Sequence, residues 1–162
     1  MPENNVISVK DFGIIPNHLK EKANKVLQGE NLSNWLDYLK RIKDAGYGDL
    51  VSKAFSKTSI EIIEKHNIAP IKIFYSTITS ITLKKGPKVA YFFSEIASEI
   101  LDYYNDERKF QNWLILTEKI TNLAPEVIEI ILGEMKFLVT RLNVTQIEDW
   151  FLTCLRASAG DL

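Results

Sequence analysis

The chain is short of most of the residues that announce a chemistry. It has one cysteine, Cys154, in 162 residues, so an internal disulfide is excluded. It has two histidines, His18 and His66, and neither follows a Glu at the spacing of a di-iron bundle. HExxH, paired CxxC and GxSxG motifs are absent. The nearest approach to a phosphate loop, "KKGPKV", has one glycine, and its proline removes a backbone donor. No apolar run reaches the ~18 residues of a membrane span. "MPENNVISVK" lacks the basic and apolar regions of a secretory signal. Charge of one sign is missing too: 20 basic residues face 21 acidic ones, a net charge of −1. That balance gives no footprint for nucleic acid or an anionic membrane. The clusters Lys40-Arg41-Lys43 and Lys84-Lys85-Lys88 read as solvated charges, and the sequons at Asn31 and Asn143 read as chance. The expectation is a reduced, cytoplasmic, non-catalytic chain without a cofactor.

What is present is hydrophobic pattern. Residues of the apolar set make up 46% of the chain, enough for one domain burying roughly 70% of its unfolded surface. The three tryptophans, Trp35, Trp113 and Trp150, are separated by 78 and 37 residues, and Phe74 stands at the midpoint of the longer interval. Aligning four segments on these aromatics brings Leu32, Ile71, Phe110 and Ile147 together three positions before. Leu36, Tyr75, Leu114 and Phe151 follow one after, and Ile42, Ile81, Ile120 and Ala157 seven after. Offsets of −3, 0, +1, +4 and +7 are one face of an α-helix. Each segment then meets a breaker: Gly46-Tyr47-Gly48, Gly86-Pro87, Ala124-Pro125 or Ala159-Gly160-Asp161. A second apolar stretch follows the breaker.

The unit is therefore helix–turn–helix with a period of about 37–39 residues. The expected fold is all-α, a right-handed solenoid-like array of antiparallel helix pairs of the HEAT and tetratricopeptide kind. Pairs are expected at 32–45/49–65, 71–85/88–104 and 109–123/126–142, with a last helix at 145–158. Residues 1–28 supply a turn and a capping helix from about 17, and 29–162 the repeat domain. "IKIFYSTITSITL" is rich in β-branched residues and could form a strand; the repeat register assigns it to helix. The chain stops after the first helix of a fourth unit, which suggests either a piece of a longer protein or a short protein with a lone capping helix.

Acid pairs such as Glu95/Glu99 and Glu126/Glu129 read as solvated faces, and Cys154 as a small hydrophobe on its helix stripe. Two features stand out as partner-binding candidates. The helix after Pro87 buries Val89, Phe92, Phe93, Ile96, Ile100 and Tyr103, which leaves Tyr91 on the opposite arc with Glu95, Ser98 and Asp102. The helix after Pro125 carries Glu134 and Arg141 close to its apolar stripe, where each needs a partner.

The rhythm of Trp-Leu (Trp35-Leu36, Trp113-Leu114), then Gly-Pro or Ala-Pro, then an apolar helix resembles the helical region of NorD/CbbO-type proteins. There it precedes a von Willebrand factor A domain. The resemblance runs from about residue 29 to the end. It implies a partner, the hexamer of a MoxR-class AAA+ ATPase, and a role in activating a target enzyme such as rubisco or nitric oxide reductase. No Asp-x-Ser-x-Ser motif occurs here, so the family's metal-ion-dependent adhesion site has no counterpart in this sequence. A generic HEAT-like interaction scaffold would show the same repeat.

Overall fold

The computed structural model describes residues 17–66, 68–104, 106–138, 141–142 and 144–158. Among these, eight α-helices and a short 3-10 turn occur, and no strand. The helices are α1 (Asn17–Val26), α2 (Glu30–Asp44), α3 (Asp49–Lys65), α4 (Pro70–Lys85), α5 (Pro87–Tyr103), α6 (Glu107–Leu123), α7 (Ile128–Leu138) and α8 (Val144–Ser158), with the 3-10 turn Pro125–Val127 leading into α7. The first three breakers fall where the repeat places them. Gly86, at φ 94°, both closes α4 (its N–H donates to Thr82 O, 2.9 Å) and opens α5 (its carbonyl accepts from Ala90 N, 3.2 Å). Only glycine adopts that φ without strain, and Pro87 then supplies the preset first turn. Asp106 caps α6, its Oδ1 accepting from the N–H groups of Arg108 (2.8 Å) and Lys109 (3.3 Å).

The segment that could have been a strand is α4. Its threonines Thr77, Thr79 and Thr82 donate their hydroxyls to the carbonyls of Ile73, Tyr75 and Ile78 at 2.7–2.9 Å. The β-branched polar side chains are thus satisfied inside the helix, and the apolar stripe Ile71, Phe74, Ile78 and Ile81 is buried.

Alternate helices pack side by side. α1, α3, α5 and α7 form one layer, and α4, α6 and α8 pack successively in the other, which α2 enters through its contact with α3. A single core runs from Leu19 to Met135. Trp35, Phe74 and Trp113 are buried in it, as are Leu32, Ile71 and Phe110 before them and Ile42, Ile81 and Ile120 after them. Trp150 is only partly buried, Ala157 is exposed, and Cys154 packs partly buried against the core. The side chains of Ile147 and Phe151, the N-terminal turn before residue 17 and the breaker at 159–161 lie outside the described residues.

Phe55, Phe74, Phe93 and Trp113 form a ladder through the core, each ring stacked on the next with centroids 5.7 Å apart. Their sequence steps are 19, 19 and 20 residues, half the period of the helix pairs, so every helix from α3 to α6 contributes one rung. Trp35 is fixed separately, its Nε1 donating to Ser59 Oγ at 2.8 Å.

Candidate functional site

The surface of the α1–α3–α5–α7 layer carries the sequence-derived candidates. Tyr91, Glu95 and Asp102 of α5 are matched 39 residues later by Ile130, Glu134 and Arg141. That interval is the repeat step: the first set lies on α5, and Ile130 and Glu134 lie on the neighbouring α7, with Arg141 in the turn beyond it. Glu95, Asp102, Glu134 and Arg141 are all exposed.

Two expectations need correction. Tyr91 is half-buried and packs against the core. It lines a narrow groove between α3 and α5 with Lys53, Lys57, Thr58, Ser94 and Glu95. An interior helix of a layered array meets neighbours on both flanks as well as beneath, so its buried arc is wider than one stripe. Tyr103, assigned to that stripe, is 48% exposed, while Ala90, Ser94, Ala97 and Leu101 are buried. Glu134 and Arg141, in turn, do not lie against the buried side of their helix. α7 ends at Leu138, and Arg141 sits in the following turn with its guanidinium 3.5 Å from the centroid of the exposed Phe137 ring. This cation–π contact needs no buried acid.

Beneath the groove, α3 and α5 are joined by hydroxyls. Ser98 Oγ donates to Glu61 Oε1 at 3.0 Å. Thr58 Oγ1 lies 3.2 Å from Ser98 Oγ and 3.3 Å from the Ser94 carbonyl. Ser94 Oγ donates to the Tyr91 carbonyl at 2.6 Å. The groove opens beside Glu61, Glu64, Lys65, Leu101 and Asp102 into a hollow of about 390 Å³. Its charges are paired at the surface, Lys22 with Glu64 (3.0 Å) and Lys65 with Asp102 (4.0 Å). Such exposed pairs are worth at most ~1 kcal/mol. The serine and threonine hydroxyls serve as bridges between helices, and among the described residues no three His, Cys, Asp or Glu side chains gather as a metal-binding group. No helix among them is long and apolar enough to cross a membrane.

The sequence reading did not single out a tyrosine cluster on the other layer. Tyr38 of α2 and Tyr75 of α4 meet with ring centroids 4.6 Å apart, each edge-on to Phe55 at 6.0 Å. Arg41, ion-paired to Asp37 at 2.9 Å, lies 5.8 Å from the Tyr38 ring centre. Burial pushes the Tyr75 hydroxyl above its ordinary pKa, and the nearby Arg41 charge opposes that shift. Tyr38 stands three positions after Trp35, and Tyr75 one after Phe74; that spacing is the signal that could have found the pair.

No family model matches the chain, and neither a curated protein nor a solved structure matches it.

Proposed function

We propose that the chain is a non-catalytic docking domain, a helical adaptor whose partner is a MoxR-class AAA+ ATPase hexamer and whose wider role is the activation of a target enzyme. The observation that carries the docking reading is the 39-residue correspondence of Tyr91 and Glu95 on α5 with Ile130 and Glu134 on α7, adjacent helices of one layer. A repeated array offers such an extended surface, and aromatic or aliphatic residues ringed by charges have the composition of an interface centre. The choice of ATPase rests on the resemblance of the Trp-anchored repeat to the NorD/CbbO helical region. A generic HEAT-like scaffold shares the docking surface and differs in the partner.

The test is calorimetric titration of the chain against a MoxR-class AAA+ ATPase assembled with nucleotide. Binding that is weakened by Glu95→Lys and Glu134→Lys, with unchanged thermal melts, supports the reading. Failure of the unmodified chain to bind a correctly assembled hexamer removes the ATPase and leaves the scaffold. Tyr91→Ala is expected to weaken binding by about 2 kcal/mol if the ring is a contact centre. Because Tyr91 also packs against the core, the same substitution should cost about 1–2 kcal/mol of stability, so its melt must be measured alongside.

A further inference from the structure

The other layer carries a hollow of about 260 Å³ between α6 and α8. Asn112, Ile115, Leu116 and Lys119 line it from one stripe of α6, at the offsets of a single helix face. Leu152 of α8 closes the opposite side. Ile115 is 38% exposed and Leu152 37%, so the apolar middle is open to solvent. The hollow has a direction. The 37-residue step from Trp113 to Trp150 also relates Asn112 to Asp149, Ile115 to Leu152 and Lys119 to Arg156. α6 and α8 pack side by side as first helices of successive units, as α4 and α6 do where Thr77 meets Leu114 at the same interval. The Lys119 end is therefore basic on both helices. The Asn112 end is polar, with Glu148 and Asp149 at that level of the sequence. Lys119 and Arg156 are exposed, and the ion pairs among the described residues involve neither. Glu118, next to Lys119 in the chain, is turned to α4, where it accepts from Ser76 (3.0 Å) and Thr77 (3.4 Å).

We infer that the α6–α8 hollow binds a small amphipathic anion, a monocarboxylate with an unbranched chain of about six to eight carbons. Its carboxylate would lie between Lys119 and Arg156, and its tail would run along Ile115, Leu116 and Leu152 toward Asn112. Size selects the class. A hollow of about 260 Å³ holds about nine non-hydrogen atoms if each takes the space of one water in the liquid. A helix, about 10 Å across, does not enter a space of that volume. From Lys119 to Asn112 is about 10 Å along the axis, a length the extended tail covers. Charge selects the head. Like charges brought to one level on neighbouring helices repel, and an anion between them relieves that repulsion. A cationic head at the same end would meet two positive groups. The inference is independent of the docking reading, which concerns the α5–α7 layer, so either can fail alone.

The experiment is an NMR titration of the full, methyl-labelled chain with octanoate, octylammonium and butanoate, each below any micellar concentration. Octanoate should shift the methyl signals of Ile115, Leu116 and Leu152 along one saturable curve. Octylammonium, with the same tail and the opposite charge, should bind at least about tenfold more weakly. Butanoate, with the same head and a shorter tail, should also bind at least about tenfold more weakly. About 0.5 M salt should weaken octanoate severalfold. The double variant Lys119→Glu/Arg156→Glu should bind octanoate about tenfold more weakly or worse and gain affinity for octylammonium. Both cations are exposed, so its melt should match that of the unmodified chain. Leu152→Asn should weaken octanoate severalfold and keep the preference for it over octylammonium. The proposal is overturned by the lack of a saturable shift at the three residues, or by full octanoate binding in the double variant. Equal binding of octanoate and octylammonium, or of octanoate and butanoate, overturns it as well.

Discussion

The middle of the array and its flanks solve the same packing problem differently. In the middle, small hydroxyl residues let neighbouring helices of a layer come close. Thr58 reaches the Ser94 carbonyl between α3 and α5 (3.3 Å), and Thr77 reaches the Leu114 carbonyl between α4 and α6 (3.3 Å). Each threonine stands three residues after a ladder aromatic, and each carbonyl one residue after the next aromatic of that layer. Carboxylates complete the seam: Glu61 accepts from Ser98, and Glu118 accepts from Ser76 at 3.0 Å and Thr77 at 3.4 Å. At the α2 flank the corresponding positions hold Tyr38 and Tyr75, and rings fill the space between helices. At the α7 and α8 flank, apolar residues remain at the surface: Ile130 and Phe137 on α7, and Ile115 and Leu152 around a hollow of about 260 Å³ between α6 and α8. One repeat thus yields a sealed centre and adaptable edges, and between the centre and the α2 flank the difference lies in which side chains occupy two positions per helix.

The most severe way to break the centre is to remove a rung of its ladder. Trp113→Ala should cost about 3–5 kcal/mol, because Trp113 is buried between Phe93 and Phe110. Trp150→Ala, at the partly buried flank, should cost less than half of that in urea melts. Equal losses would show that the flank is as tightly packed as the middle. A milder break is Thr77→Val, which keeps the shape and deletes the hydroxyl shared with Ile73, Leu114 and Glu118. A loss of about 1–2 kcal/mol is expected, and a neutral result would mean that the seam is held by apolar contact alone.

A smaller effect separates the tyrosine flank by pH. The Tyr75 hydroxyl has a pKa raised above 10.0 in the folded state, first by burial. The folded state therefore holds this proton more tightly than the unfolded one, and the stability it contributes is complete below pH 10 and lost as pH rises through the folded value. Tyr75→Phe should flatten the alkaline limb of a stability–pH curve and leave neutral stability within about 0.5 kcal/mol. An unchanged alkaline slope would assign that limb to other tyrosines. The least expected change is at His66, whose Nε2 is buried without a partner while its ring lies 5.9 Å from that of Phe110. His66→Phe should stabilise by up to about 1 kcal/mol by removing an unsatisfied nitrogen; destabilisation in the same melt would show that the nitrogen is served in solution.

Helix boundaries were legible because period and breakers agreed. α3 ends and begins where expected, and α4, α5 and α6 differ by one or two residues at their starts. α7 departed most at its start: Pro125 opens it as a 3-10 turn, and the α-helix itself begins at Ile128. The half-period ladder was visible in principle, since Phe55 and Phe93 interleave with Phe74 and Trp113, but the alignment compared only first helices of each pair. Tyr91 was misplaced for a physical reason. A single amphipathic stripe describes a helix with one buried face, whereas α5 has α3, α4 and α7 around it. For the surface, the sequence identified Glu95 and Asp102 as polar-face acids, drew Glu134 too close to the buried stripe, and could not show that Phe137, rather than an acid, is the partner of Arg141.

The one-residue turn at Gly86 has a kinetic meaning. α4 and α5 can meet as soon as that turn closes, and the cross-helix bonds of the sealed centre join residues only 36–42 positions apart. Loops of that size close at modest entropic cost, and a chain whose cross-helix bonds are mostly this local folds fast for its length. Nucleation at α4–α5 would then spread outward one helix at a time, with the tyrosine flank and the α7–α8 flank condensing last and, under denaturant, opening first.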